Sequence, residues 1–220
     1  MESGGFLLYV AALAVASLAL VQSIAAGGIG VLAFVSARVA GRRLSRRELT
    51  GVAVSLAGLV ALGVSLAAGS GEHGNGAIGP VLLWLGITAG VAVIMVAGAR
   101  VGVAAAYGAA AGLFFSIGDI STKLATQGGA RTLFVVTLIA GYLLGTALMQ
   151  VGYQAGAALT VAGIATLLTN ALPIAAGTVI LDEPLPGGVL GAVRIFAFAA
   201  VIVGAVLLTH PAEKRSAARR

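Results

Sequence analysis

The sequence predicts an all-α fold, a polytopic membrane bundle of eight transmembrane helices, and three observations carry that expectation. Of its 220 residues 60% are hydrophobic and 9% charged, with a mean hydropathy of +1.09, which leaves a water-soluble domain too little polar surface to show. The apolar residues gather into eight long blocks with almost no charge inside them. Ten of the thirteen basic residues lie at alternate seams between the blocks or in the tail.

In order, the blocks run from Gly5 to Ala16, Leu18 to Val39, Leu49 to Leu66, Ile78 to Val96, Val101 to Leu124, Thr132 to Tyr153, Leu159 to Leu181 and Pro186 to His210. Most are long enough to cross, because roughly 20 residues at about 1.5 Å rise span a hydrocarbon core of about 30 Å. The first is short and is separated from the second only by Ser17. Period-two alternation is absent, so helices rather than barrel strands satisfy the backbone in lipid. The seams carry the polar residues: GRRLSRRE from Gly41 to Glu48, GSGEHGNG from Gly69 to Gly76, Arg100, and the acidic turn Asp182-Glu183.

The net charge of +6 follows topology and not nucleic-acid binding. With the Gly41–Glu48 loop inside, the same side receives Arg38, Arg42, Arg43, Arg46, Arg47, Arg100, Lys214, Arg215, Arg219 and Arg220. The opposite side receives Lys123 and Arg131, while Arg194 stays within a helix. That bias, with eight crossings, places both termini in the cytoplasm of a multi-pass protein of the plasma (inner) membrane. The basic tail, residues 211–220, reads as a topology determinant with an anionic-lipid contact as the alternative. No basic stretch precedes the first block, so the expectation is that this block is retained and not cleaved. Cysteine is absent, which removes disulfides and thiolate metal sites. His73, beside Glu72 in a glycine-rich loop, reads as a solvated residue, and no metal or cofactor is expected.

The stretch Leu18 to Leu66 can be laid on Leu159 to Leu207 at a constant offset of 141 residues. Leu44 then pairs with Leu185, Leu49 with Leu190, Val52 with Val193, Val60 with Val201, Gly63 with Gly204 and Leu66 with Leu207. Such identities are cheap in apolar sequence. The order of elements adds weight, since a long helix, a short polar turn and a second long helix recur five blocks apart. An odd separation reverses the orientation in the membrane, which is the inverted-repeat design of many secondary transporters.

Two segments carry a family resemblance: LALVQSIAAGGIGVLAFVSARVAGRRLSRRELTGVAVSLAGLVALGV (Leu18 to Val64) and LTVAGIATLLTNALPIAAGTVILDEPLPGGVLGAVRIFAFAAVIVGAVLL (Leu159 to Leu208). The chain resembles the EamA type of the drug/metabolite transporter (DMT) superfamily, and its first stretch is also similar to the NIPA-type magnesium transporters. Pro173 and Glu183 stand where the family's last two helices carry a proline and an acidic turn residue. The first stretch departs from that pattern, with Leu32 opposite Pro173 and Arg42 opposite Glu183. The resemblance implies two inverted repeats of five helices. On that plan residues 1–67 supply the last three helices of an incomplete first repeat, and residues 78–210 a complete second one. A start assigned too late, or a truncation, would account for the two missing helices.

Within the blocks, polar residues mark the candidate site. Asp119 has Lys123 one turn later, and Gly108, Gly112 and Ser116 share its helical face by three- and four-residue spacing. A carboxylate or lysine at a bilayer centre costs about 2.5 to 3.5 kcal/mol, so that face should look into the bundle. Arg194 lies roughly 12 Å, and Asp119 about 9 Å, from the outer surface by the helical rise, depths that suit a salt bridge. Asp119 with Arg194 or Lys123 is therefore a candidate outer gate or coupling-proton carrier; the plainer reading is a fixed structural pair, or a snorkelling Lys123. In the seventh block Thr166, Thr169, Asn170, Pro173 and Gly177 share one stripe, and Pro173 removes the hydrogen bond to the Thr169 carbonyl. That stripe is a cavity candidate, as are Gln150, Tyr153 and Gln154 near the inner end of the sixth block. Gln22 is a lone polar residue in the second block and suits an interhelical hydrogen bond better than a ligand contact. Trp84, Tyr9 and Tyr142 read as interface markers or packing residues. Glycine pairs four apart (Gly98/Gly102, Gly108/Gly112, Gly141/Gly145, Gly187/Gly191) permit close helix approach, within the chain or in a homodimer.

The expected function is a secondary transporter moving a small polar metabolite or an ion through a lipid bilayer by alternating access. A truncated or non-transporting membrane protein is the alternative. A membrane enzyme is the weakest reading, because no block carries paired histidines, a serine with a histidine partner, or clustered carboxylates.

Overall fold

The computed structural model describes residues 2–22, 24–25, 28, 35, 46–67, 76–99, 103–156, 158–182 and 188–209. All regular structure among them is helical, as the block lengths predict. The helices are α1 (Glu2–Val15), α2 (Arg46–Ala67), α3 (Ile78–Ala97), α4 (Val103–Thr126), α5 (Phe134–Ala155), α6 (Ala158–Val179) and α7 (Gly188–Thr209), with a 3₁₀ turn at Gly129–Leu133. Residues 18–22, from the second block, are helical as well. Four helical spans are long and apolar enough to cross a membrane: Ile78–Ala97, Val103–Thr126, Gly129–Ala155 and Val161–Val179. This composition suggests a membrane protein, since lipid is the solvent in which such outer faces are stable. The outward residues agree, with Leu82, Leu83, Ile87 and Ile94 of α3 and Val136, Ile139 and Leu143 of α5 exposed.

Helix α4 is the axis of the bundle. From Gly108 to Leu124 nearly every residue is buried, because α1, α3, α5 and α6 all pack on it. Its amino-terminal half is rich in alanine and glycine, and those small residues set the approach of its neighbours. A Cβ on Gly108 would stand 2.8 Å from the Val161 backbone, and one on Gly112 2.8 Å from the Ala165 carbonyl oxygen. On the α5 side, a Cβ on Gly141 would stand 2.8 Å from the Gly118 nitrogen, and one on Gly145 2.7 Å from the Phe115 ring. Two of the sequence's glycine pairs are therefore spent on packing inside this chain.

These contacts also give directions. Gly145 meets Phe115 and Gly141 meets Gly118, while Thr137 donates to Ser121 at 2.9 Å, so α5 runs antiparallel to α4. Gly108 meets Val161 and Gly112 meets Ala165, so α6 runs parallel to it. Helices α2 and α7 form a second pair, packed along much of their lengths. Ser65, near the end of α2, donates to the Leu190 carbonyl near the start of α7 at 3.3 Å, which makes the pair antiparallel.

Helix α1 and the segment at 18–22 form a hairpin. The chain breaks at Ala16 and Ser17, and Ser17 Oγ accepts from the Leu20 amide at 3.3 Å, a helix-starting cap. Tyr9 and Gln22, on opposite sides of that break, meet by a 2.7 Å hydrogen bond. At the same end of the bundle Arg131 donates to the Gly76 carbonyl at 2.6 Å and also bonds the Gln127 side chain. Gly76 is required there, since its φ is +44° and a Cβ would fall 2.3 Å from the Ile180 carbonyl oxygen.

Candidate functional site

The polar centre of the molecule lies where the α1 hairpin meets α4 and α5. Asp119 is 4% exposed, and its Oδ1 accepts two hydrogen bonds, from Tyr9 at 2.8 Å and from Tyr142 at 2.6 Å. Gln22 Nε2 in turn donates to the Tyr9 hydroxyl oxygen. One carboxylate thus ties together four helical segments: α1, the 18–22 segment, α4 and α5. Short bonds of this kind to a charged acceptor are about twice as strong as neutral ones.

Local sequence explains the reach of each group. Gly118 has no side chain, and the Tyr142 ring lies against it, with ring carbons 3.2 Å from where a Cβ would be. Phe6 packs edge-on against Tyr142 with ring centroids 6.0 Å apart, and Phe115 lies tilted against it at 6.2 Å. The rings screen the carboxylate and limit how Tyr142 can turn. Truncating Tyr142→Phe removes one of two donors to Oδ1 while leaving the ring packing. We expect a loss of roughly 1.5 to 3 kcal/mol, the usual worth of a hydrogen bond to a charged group, read as a lower midpoint of thermal unfolding in detergent.

Lys123, 2% exposed, does not snorkel toward an interface. Its ammonium donates to the carbonyls of Leu13 at 2.8 Å and Ala16 at 2.6 Å. Leu13 belongs to the last turn of α1 and Ala16 directly follows its end, where the helix leaves carbonyls without intrahelical partners and carries partial negative charge. The lysine therefore locks the hairpin turn onto α4. It stands one turn from Asp119, yet the bonds to the Asp119 carboxylate come from Tyr9 and Tyr142.

Arg194 is also placed differently from the expected pair with Asp119. Its guanidinium reaches α2, with Nε donating to Ser65 Oγ and Nη2 to the Ser65 carbonyl, each at 3.1 Å. Depth in the bilayer was the reason for pairing it with Asp119, and depth says nothing about azimuth. The α2–α7 contact holds it on another side of the bundle.

The remaining candidates divide by position. Ser116, fully buried, lies one turn before Asp119 on α4. On α6, Asn170 and Pro173 are buried while Thr166 and Thr169 are half-buried, and the Asn170 amide donates to the Thr166 carbonyl at 2.7 Å. Carrying the α4–α6 register forward sets Thr169 level with Ser116, so this stripe lies at the depth of the carboxylate. Gln150 and Gln154 are exposed and Tyr153 half-buried, near the end of α5. Eleven residues separate Tyr153 from Tyr142, about 16 Å of helix, so that cluster stands apart from Asp119. Glu183 and His73 lie outside the described residues.

Sequence reasoning missed Tyr9 and Tyr142 as partners of the carboxylate. Tyr142 gave a usable signal, since it follows Gly141 in a small-residue stripe, the surface by which a helix approaches its neighbour. Tyr9 gave none beyond being polar in an apolar block. Among the described residues no group of three or more His, Cys, Asp or Glu could hold a metal ion. Comparison with known proteins finds no matching family model, curated protein or solved structure.

Proposed function

We propose that this chain is a secondary transporter of the drug/metabolite type, moving a small polar metabolite or an ion across the plasma (inner) membrane by alternating access between two inversely oriented halves. The observation that carries this reading is the position of the Asp119 cluster. Tyr9 and Gln22 come from the first half and Asp119 and Tyr142 from the second, and the Tyr9–Asp119 hydrogen bond crosses between the halves, with Gln22 and Tyr142 bonding its two ends. A second crossing is made by Arg194 of α7 and Ser65 of α2. Transporters built from inverted repeats keep their working site at the interface of the repeats, near the middle of the membrane.

The energetics favour a working role. A buried carboxylate is costly in a bundle whose outer faces are apolar, and an ionisable group at membrane depth is a functional candidate by default. Two tyrosine hydroxyls hold Asp119 through Oδ1, which leaves Oδ2 available to a mobile partner. Asn170 and the carbonyl freed by Pro173 supply a further polar surface at the same depth, suited to a small polar solute. The topology belonging to this reading has eight crossings with both termini cytoplasmic, in agreement with the basic seams.

Flux tests it. Purified chain reconstituted in liposomes is expected to accelerate uptake or counterflow of one class of small polar solutes or ions over protein-free liposomes. A panel spanning amino acids, amines, organic acids and inorganic ions that shows no acceleration contradicts it.

A further inference from the structure

Most buried polar side chains described above have partners within the chain. Three buried side-chain atoms among the described residues have none: Trp84 Nε1, Ser116 Oγ and Asp119 Oδ2. The last two lie one turn apart on α4, on side chains 0% and 4% exposed. Neither bonds the other, although three-residue spacing puts them on neighbouring parts of one helix face. A buried carboxylate oxygen with no donor is among the costliest groups to leave unsatisfied.

Three features define what would satisfy it. The atoms are hard oxygens, one from a carboxylate and one from a hydroxyl, a set that suits hard cations. The negative charge is single; Lys123 has its ammonium on the carbonyls of Leu13 and Ala16, so a divalent ion would be left with uncompensated charge. Space is tight, because α5 approaches α4 to backbone contact beside the carboxylate, at Gly141 and Gly118. An organic ammonium would need the helices to part.

We propose that Asp119 Oδ2 and Ser116 Oγ form the binding site of a compact monovalent cation, sodium or a proton, that drives the transport cycle. The inference rests on the transporter reading for its purpose, but the site is defined by its ligands alone. Tyr9 and Tyr142 hold the opposite oxygen and join the two halves. With the cation bound, the carboxylate is neutralised and the closed interface is stable. When the cation leaves, the Asp119 charge stays buried with its Oδ2 unsatisfied, a state that favours parting of the halves and entry of water.

Equilibrium binding to the full chain in detergent or lipid nanodiscs tests the site. Trp84 is the sole tryptophan and packs against the same core as Leu13, Ile117 and Ile120, so its emission reports on this region. Sodium chloride is titrated against choline chloride at constant ionic strength, and separately pH is varied without sodium while the carboxylic-acid stretch is followed by infrared spectroscopy. If sodium is the ligand, Trp84 emission changes saturably with sodium, the change is absent in Asp119→Asn, and Ser116→Ala weakens binding by about tenfold, the worth of one lost ligand contact. If the proton is the ligand, an infrared carboxyl band titrates with pH and is absent in Asp119→Asn, and sodium has no effect.

Identical sodium and pH responses in wild type and Asp119→Asn would overturn the proposal. So would a response to magnesium chloride alone. Should Asp119→Asn fail to fold, Ser116→Ala decides, since it removes one atom from a buried site; unchanged sodium affinity together with an unchanged carboxyl band contradicts the assignment. A chain that binds the cation at Asp119 yet moves no solute keeps the site and refutes the transporter. Flux without either cation response does the reverse.

Discussion

On the proposed transporter reading, replacing Asp119 with asparagine is expected to leave the bundle assembled and to reduce solute flux to that of empty liposomes, or to leave flux that no longer responds to an ion gradient. Asparagine has nearly the same shape. Its amide oxygen can accept from both Tyr9 and Tyr142, which donate to Oδ1 of the aspartate at 2.8 and 2.6 Å. The four-segment junction therefore persists, while the negative charge does not. Because the charge at membrane depth is the expensive feature, its removal should, if anything, raise thermal stability. Solute flux and thermal midpoint, measured on the same preparation, separate the two effects. Flux equal to wild type, with the same ion dependence, would remove Asp119 from the transport cycle.

Gly141→Val is expected to prevent assembly of the native bundle. A Cβ at Gly141 would lie 2.8 Å from both the Gly118 nitrogen and the Phe114 carbonyl oxygen, and 3.0 Å from the Gly118 Cα. These are backbone atoms of the central helix and cannot swing aside. Relief requires α5 to move off α4, which would carry the Tyr142 hydroxyl away from Asp119 and open the Thr137–Ser121 bond. Overpacking in a close-packed core typically costs about 1 to 3 kcal/mol, and loss of the coupled hydrogen bonds adds to it. Size-exclusion chromatography in detergent should show aggregation or a strongly lowered thermal midpoint. Gly128→Val is the control, because nothing lies within 4 Å of a Cβ there; its own penalty comes from the positive φ of 75° and leaves the helix contacts untouched. A Gly141→Val variant as stable as wild type would mean that α4 and α5 do not approach in this register.

Much of this organisation was legible in the order of residues. Block lengths foretold helices, and described helical residues fall in every one of the eight blocks. The turn at Ala16 and Ser17 was legible only as the gap between the first two blocks, not as a hairpin. The polar face Gly108–Gly112–Ser116–Asp119 of α4 was readable from spacing, and it is buried because glycine there admits neighbours while aspartate there repels lipid. The partners were not readable. Helical spacing gives the azimuth of a residue on its own helix but not the rotation of the next helix. Arg194 and Asp119 therefore looked like a pair by depth alone, whereas Arg194 bonds to Ser65 and Asp119 to tyrosines. Tyr9 and Tyr142 are residues that an aromatic belt also favours, so sequence could not separate a tyrosine at the lipid interface from one anchoring a buried carboxylate. Lys123 followed the same ambiguity. A lysine near a helix end suits snorkelling, and only the neighbouring hairpin, with two carbonyls to satisfy, draws it inward.

In the proposed transport cycle the Asp119 cluster is reached from the two sides of the membrane in turn. The chain has no cysteine, so the thiol introduced as Ser116→Cys is its sole sulfhydryl and reports on access to the site, in exchange for the serine hydroxyl. In sealed vesicles of known orientation, a membrane-impermeant thiol reagent is added from outside or from inside, with and without solute or an ion gradient. This position, fully buried in the closed bundle, is expected to react from each side, and conditions favouring one side to suppress reaction from the other. Protection from both sides under every condition, in a variant that folds, would contradict it and leave Asp119 a structural post.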